Sequence, residues 1–188
     1  AAAQDLLRLP GSLLTPEDIA GGGGGGDGRA WHFQALVGAG GRGTGAASNA
    51  LSVSAGHGPT KLVAAADIFE DKLKSSLNGL QRKHKEKVDL GKAGAGKNGL
   101  PERAFIGFEG YKNAIDTLDK GDVAIFTTPP AFRWVFYKYA VEKGVNVFME
   151  KPVTSDGFGT KKILEINKLA KKKKLIKLLI MPIPKSIL

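Results

Sequence analysis

The 188-residue chain contains no cysteine, which excludes disulfides, thiolate zinc sites and a cysteine nucleophile. It also lacks long apolar runs: residues 175–181 form one of the most apolar stretches, far short of the roughly 20 residues of a membrane span, and they predict a buried strand. The N-terminus lacks the basic start and apolar stretch of a secretion signal. We therefore expect no membrane partner and a cytoplasmic location, with export of a precursor as the alternative.

Acidic residues are scarce in one region. Residues 161–188 hold nine lysines and one acid, so they carry a net charge of +8 out of the chain's +10. The Lys171–Lys174 run could contact nucleic acid or an anionic surface. No aromatic residues interleave with these lysines, as a single-strand binder would require. We therefore interpret the run as a solvated helix end and expect no nucleic-acid partner.

Glycine, by contrast, is abundant, with 26 residues. An apolar run ending at Val37 leads into Gly38-Ala39-Gly40-Gly41-Arg42-Gly43, which fits the pattern G-x-G-x-x-G, and a helix-compatible segment follows. In this order, glycines allow a tight turn, close approach of a pyrophosphate and close packing of helix on strand. The sequence predicts a dinucleotide-phosphate site here, with a plain strand-to-helix turn as the alternative.

Downstream, apolar strand patterns alternate with helical ones, which predicts an α/β fold with a doubly wound parallel sheet. We assign residues 30–181 to this domain. Residues 1–29 are predicted to be an extension with one short helix near Thr15 and a glycine-rich linker, and residues 182–188 a C-terminal tail. The predicted strands are 31–37, 61–67, 104–107, 122–127, 145–149 and 175–180, and the predicted helices are 41–51, 70–84, 111–118, 130–143 and 160–173.

Ligands of such sheets bind at the carboxyl ends of the strands, so the residues that follow each strand are the candidate site. Asp67 ends the second strand, 24 positions after Gly43, close to the spacing of an acid that binds a ribose. Its alternative role is a cap for the next helix. Thr127-Thr128-Pro129 follows the fourth strand, and Glu150-Lys151 the fifth. The lysine there could bind anionic or carbonyl oxygens.

These segments, together with Ile68 and Pro152, resemble the glucose–fructose oxidoreductase / inositol dehydrogenase / MocA family in order and spacing over residues 33–181. The resemblance implies a Rossmann domain that binds NAD, with NADP disfavoured by Asp67. It implies that residues 38–43 bind the pyrophosphate, Asp67 and Ile68 the adenosine side, and Thr127, Thr128 and Pro129 the nicotinamide side. Glu150 and Lys151 would contact the nicotinamide ribose and the substrate, with Lys151 catalytic.

The resemblance further implies hydride transfer on a sugar or cyclitol, with an NAD-dependent glycosidase or a non-catalytic dinucleotide-binding scaffold as alternatives. The family's second domain, which completes the substrate pocket and often mediates homo-oligomers, has no counterpart here, so we expect a truncated, catalytically incomplete chain. The 91–99 loop is expected to be an insertion. His32, His57 and His84 lack visible partners and are expected to be structural or solvated. We predict no metal site.

Overall fold

A computed structural model describes residues 32–52 and 60–175 and the backbone of residues 177–180. Six strands are β1 (His32–Val37), β2 (Thr60–Asp67), β3 (Ala104–Ile106), β4 (Val123–Phe126), β5 (Asn146–Glu150) and β6 (Lys177–Ile180). The helices are α1 (Gly41–Leu51), α2 (Glu70–His84), α3 (Gly110–Asp116), α4 (Arg133–Lys143) and α5 (Gly157–Lys172). Short 3-10 turns occupy Lys85–Lys87, Lys97–Gly99 and Pro130–Phe132.

The strands form one parallel sheet in the order β3-β2-β1-β4-β5-β6. The order reverses between β1 and β4, which defines the topological switch point of a Rossmann fold. The predicted fold class is therefore confirmed. In the register of the central strands, Val37, Phe126 and Met149 form one row, so the chain positions just beyond them meet at one edge of the sheet.

Buried apolar side chains cover both faces of the sheet, which explains why the central strands show no polar alternation. On one face, Leu36, Ala65 and Ile125 pack against α1 and α2. On the other, the alternate strand residues pack against α3, α4 and α5, where Tyr137 is fully buried. The two layers fix the strand ends, and with them the candidate site, on a rigid base.

The long connection from α2 to β3 is hydrogen-bonded to the outer edge of β2. β3 pairs with only the last three residues of β2. Further back along β2, Leu62 O accepts from Asp89 N at 2.9 Å and Val63 O accepts from Arg103 Nε at 2.8 Å. At Ala65, where the pairing with β3 begins, the backbone N–H donates to Arg103 O at 3.1 Å. The connection therefore continues the edge pairing where β3 is too short.

Helix starts differ most from the sequence prediction. The predicted helix from Pro130 divides into a 3-10 turn and α4, and it ends as expected at Gly144 in the left-handed conformation. α5 begins at Gly157 instead of Thr160, because Asp156 Oδ1 accepts from Gly159 N at 2.7 Å and caps the helix. β5 extends to Glu150, one residue beyond the prediction.

Several sequence predictions fall outside the described residues. These are the N-terminal extension with its helix near Thr15, the strand start at Trp31, the loop containing His57 and the C-terminal tail at residues 182–188. The lysines of the Lys171–Lys174 run are exposed at the end of α5. None of the helices in the described ranges is long and apolar enough to span a membrane.

Candidate functional site

The glycine turn after β1 is built from close backbone contacts. Gly38 has φ +97°, and its N–H donates to Ala66 O at 2.9 Å. A Cβ on Gly38 would lie 2.8 Å from Thr128 N, and one on Gly43 would overlap Gly38 O. Both positions therefore require glycine, the first for its conformation and its space, the second for the close approach of α1 to β1.

The open side of the same turn exposes the N-terminus of α1. Gly40 precedes the helix and provides no side-chain cap. A Cβ on Gly40 or Gly41 would meet nothing within 4 Å. The first amides of a helix have no intrahelical acceptor and carry a partial positive charge. This end of α1 is therefore an accessible anion site.

Asp67 lies directly beside the turn. Its Oδ2 accepts from Ala39 N at 2.6 Å and its Oδ1 from Phe69 N at 2.9 Å. The carboxylate thus closes the turn that leads into α2 instead of capping the helix's first-turn amides. The structure brings this acid to the glycine turn, as the sequence predicted, and it places no other described acid in hydrogen-bond contact with the turn's Ala39 amide.

Beyond Asp67, a shallow apolar depression extends along the start of α2. Ile68 and Phe69 are about half exposed, and together with Ile106 they line this surface. Lys72 Nζ lies 4.5 Å from the centroid of the Phe69 ring. An exposed aromatic beside a carboxylate gives a flat surface on which a heteroaromatic ring could stack.

At the end of β4, Thr127 is tied to the turn and Thr128 is not. Thr127 Oγ1 donates to Gly38 O at 2.5 Å, so it fixes the first glycine. Thr128 Oγ1 is buried and has no hydrogen-bond partner among the described residues. Pro129 is exposed next to it. An unpartnered buried hydroxyl at the switch point is a candidate contact for a polar ligand.

At the end of β5, Glu150 is almost fully buried and is paired across the sheet edge. Its Oε1 forms an ion pair with Arg42 of α1, and its Oε2 accepts from Lys151 N at 3.2 Å. The hydrogen bond to Glu150 raises the pKa of Arg42, so the guanidinium is firmly charged. The Lys151 side chain is exposed, and the Lys151–Pro152 peptide bond is cis.

Arg133 is a residue of this site that sequence reasoning missed. Only 4% of it is exposed, and it donates to Thr128 O at 2.7 Å, to Glu150 O and to Pro152 O at 2.5 Å. It therefore holds the loops after β4 and β5 together. Burial lowers its pKa, while the charge of Glu150 raises it. The sequence around Arg133, three residues after Pro130, did not indicate a site residue, because the partners of Arg133 are main-chain carbonyls.

Of the described histidines, His32 starts β1 and His84 ends α2, so both lie away from this edge. His84 Nε2 is 2.9 Å from Ser48 Oγ, so it joins α2 to α1. Burial, followed by the charges of Lys83 and Lys87, lowers the pKa of His84. Across residues 32–52 and 60–175, no three histidine, aspartate or glutamate side chains cluster in a way that could hold a metal ion.

The fold resembles that of solved NAD-binding oxidoreductases. The WlbA dehydrogenase from Chromobacterium violaceum, solved with NADH and UDP-GlcNAcA, is 22% identical at a TM-score of 0.55, covering 81% of this chain and 36% of that one. The scyllo-inositol dehydrogenase from Lactobacillus casei, solved with NAD(H) and scyllo-inositol, is 19% identical at a TM-score of 0.55, covering 79% and 35%. Myo-inositol 2-dehydrogenase from Lactobacillus plantarum is 23% identical at a TM-score of 0.53, covering 79% and 35%.

At these identities the likeness shows the Rossmann fold. The chain spans about a third of the length of the solved chains that it matches. No protein-family model matches it, and no curated protein matches it in sequence.

Proposed function

We propose that this chain is the dinucleotide-binding part of an NAD-dependent oxidoreductase of the glucose–fructose oxidoreductase / inositol dehydrogenase / MocA type. One observation carries the proposal: a glycine turn opens onto the free N-terminus of α1 while the carboxylate of Asp67 contacts its Ala39 amide. A pyrophosphate and an adjacent ribose need that combination of free amides and a carboxylate. The dinucleotide-binding domain comprises residues 30–181.

The residues fit the cofactor along the sheet edge. The amides of Gly41, Arg42 and Gly43 would bind the pyrophosphate. Asp67 would accept from the adenosine ribose hydroxyls, and Ile68 would lie against the adenine. Across the switch point, the side with Thr127, Thr128 and Pro129 would receive the nicotinamide half, with the free hydroxyl of Thr128 as its polar contact.

The proposed reaction is hydride transfer on a hydroxyl-bearing carbon of a sugar or cyclitol. Bound NAD would supply the hydride acceptor. Lys151, exposed beyond β5, would bind the reacting hydroxyl and take or return its proton. Arg133 would keep the Lys151 loop in place through its bonds to Glu150 O and Pro152 O. The neighbours solved with UDP-GlcNAcA and scyllo-inositol support this substrate class.

The cofactor proposal is tested by calorimetric titration with NADH and NADPH. We expect NADH to bind and NADPH to bind at least about tenfold more weakly, because its 2′-phosphate would face the Asp67 carboxylate. Asp67→Ser should narrow this difference, and Glu86→Gln, an exposed acid outside the site, should not. Equal binding of the two cofactors by the unmodified chain would refute the role of Asp67.

The catalytic proposal is tested with NAD and a panel of hexoses, inositols and amino sugars, followed at the NADH absorbance. We propose that the 188-residue chain binds NAD without turnover, because the exposed Lys151 side leaves the nicotinamide open to water and holds no substrate in place. Turnover that Lys151→Ala abolishes would show that this chain suffices. A chromogenic aryl glycoside is added to the panel, and its cleavage without net NADH would favour the glycosidase alternative.

A further inference from the structure

The Arg42–Glu150 ion pair spans the switch-point crevice. In the sheet register, the row after Val37, Phe126 and Met149 consists of Gly38, Thr127 and Glu150. Neighbouring strands are about 4.8 Å apart, so Glu150 lies about two strand spacings from the glycine turn. Arg42, in the first turn of α1, reaches across the end of β4 to bind it.

The two partners differ sharply in burial. The Glu150 side chain is 3% exposed, whereas that of Arg42 is 63% exposed. Arg133 is the other described cation at this carboxyl edge shown bonded to Glu150, and its bond goes to the main-chain oxygen, not to the carboxylate. Arg42 is therefore a mostly solvent-exposed cation paired with a buried anion. It also lies on the helix turn whose amides form the anion site.

Resting on the proposed dinucleotide site, we propose that Glu150 competes with the phosphates of the dinucleotide for Arg42. An anion at the N-terminus of α1 meets the guanidinium and, behind it, the Glu150 carboxylate. The guanidinium attracts the phosphates, and the carboxylate both repels them and holds Arg42 toward β5. The affinity of the site is thus set by the two residues acting in opposite directions.

This competition predicts changes of opposite sign from two single substitutions. Arg42→Met removes the attracting charge and should weaken phosphate binding. Glu150→Gln keeps the shape and the acceptor for Lys151 N but removes the repelling charge, so it should strengthen phosphate binding. A pair that merely stabilises the fold would instead weaken binding in both variants.

The experiment measures the affinity of ADP, which carries the pyrophosphate and adenosine but lacks the nicotinamide ribose that Glu150 would contact. By calorimetry we expect Arg42→Met to bind ADP roughly tenfold more weakly. We expect Glu150→Gln to bind ADP about fivefold more tightly. Arg82→Met and Glu86→Gln, exposed residues of the same charges away from the crevice, serve as matched controls and should not change ADP binding.

A second measurement uses the unsubstituted protein, so it does not depend on the folding of Glu150→Gln. The Arg42 side-chain N–H resonance, assigned by its loss in Arg42→Met, should shift on saturation with ADP in ¹⁵N NMR spectra. An unshifted resonance, or ADP binding that Glu150→Gln leaves unchanged or weakens, would overturn the competition while NADH binding still supports the dinucleotide site. Absence of both ADP and NADH binding would refute that site and the competition together.

Discussion

The two sides of the crevice are built in contrasting ways. The turn after β1 consists of backbone packed so closely that side chains are excluded at Gly38 and Gly43. The loop after β5 is held by charged side chains: Arg133 binds its carbonyls, and Arg42 binds Glu150 from across the sheet edge. Adding a side-chain atom should therefore disrupt the turn after β1, whereas removing a charge should destabilise the loop after β5.

The largest expected effect comes from adding one methyl group to the turn. In Gly43→Ala the Cβ would overlap Gly38 O and lie 2.6 Å from Thr127 Oγ1. We expect a loss of about 3 kcal/mol of unfolding free energy, measured by urea denaturation, together with loss of NADH binding.

Gly45→Ala, two residues along the same helix, is the matched control. Its Cβ would meet nothing within 4 Å. It should raise the unfolding free energy by about 0.5–1 kcal/mol, because alanine is the better helix former. If the two variants behave alike, the close packing of the turn is not what requires glycine.

Next in size is the loss of the buried cation on the other side. Arg133→Met leaves three carbonyl oxygens, of Thr128, Glu150 and Pro152, without this donor. We expect destabilisation of about 2–3 kcal/mol in urea denaturation. Arg133→Lys should restore only part of it, because an ammonium group lacks the planar fork of a guanidinium. Full restoration by lysine would show that charge, not geometry, holds the loop.

A smaller effect separates the two members of the Arg42–Glu150 pair. Arg42→Met leaves a buried carboxylate without its hydrogen-bonded ion-pair partner. Glu150→Gln leaves Arg42, which is already mostly in water, and Arg133, which keeps its hydrogen bonds to three carbonyl oxygens. We expect a lower melting temperature for Arg42→Met, corresponding to about 1 kcal/mol after screening, and a smaller change for Glu150→Gln. Equal changes would contradict the difference in burial.

The smallest expected effect is the pH dependence of stability that arises from His84, at the contact between α2 and α1. The pKa of His84, which joins α2 to α1 through Ser48, is lowered by burial. The unfolded chain therefore binds a proton at higher pH than the folded one, so stability is full above about pH 6.5 and falls as the pH drops through the folded pKa. His84→Gln should show a weaker decrease in melting temperature between pH 7 and pH 5. An identical decrease would exclude His84 as the cause.

The turn after β1 was predictable from the sequence. Of the loop after β5, the sequence indicated Glu150 and Lys151 but not the side chains that hold them. Glycine spacing and the position of Asp67 are local signals with a direct structural reason, and the structure places them together as expected. The pairing of Arg42 with Glu150 joins residues 108 positions apart. It depends on the register of β1, β4 and β5, which no local pattern encodes. Arg133 was not predicted because its partners are main-chain carbonyls, which carry no sequence signal.

The connection between α2 and β3 has a consequence for association between copies of the chain. Unpaired N–H and C=O groups along an outer strand can template pairing with a second chain. β3 covers only the last three residues of β2, but Asp89 and Arg103 bind Leu62 O and Val63 O further back, and Arg103 O accepts from Ala65 N where the β3 pairing begins. The irregular connection at residues 85–103 thus protects the edge of β2 from pairing with a second chain. Shortening this connection should increase aggregation.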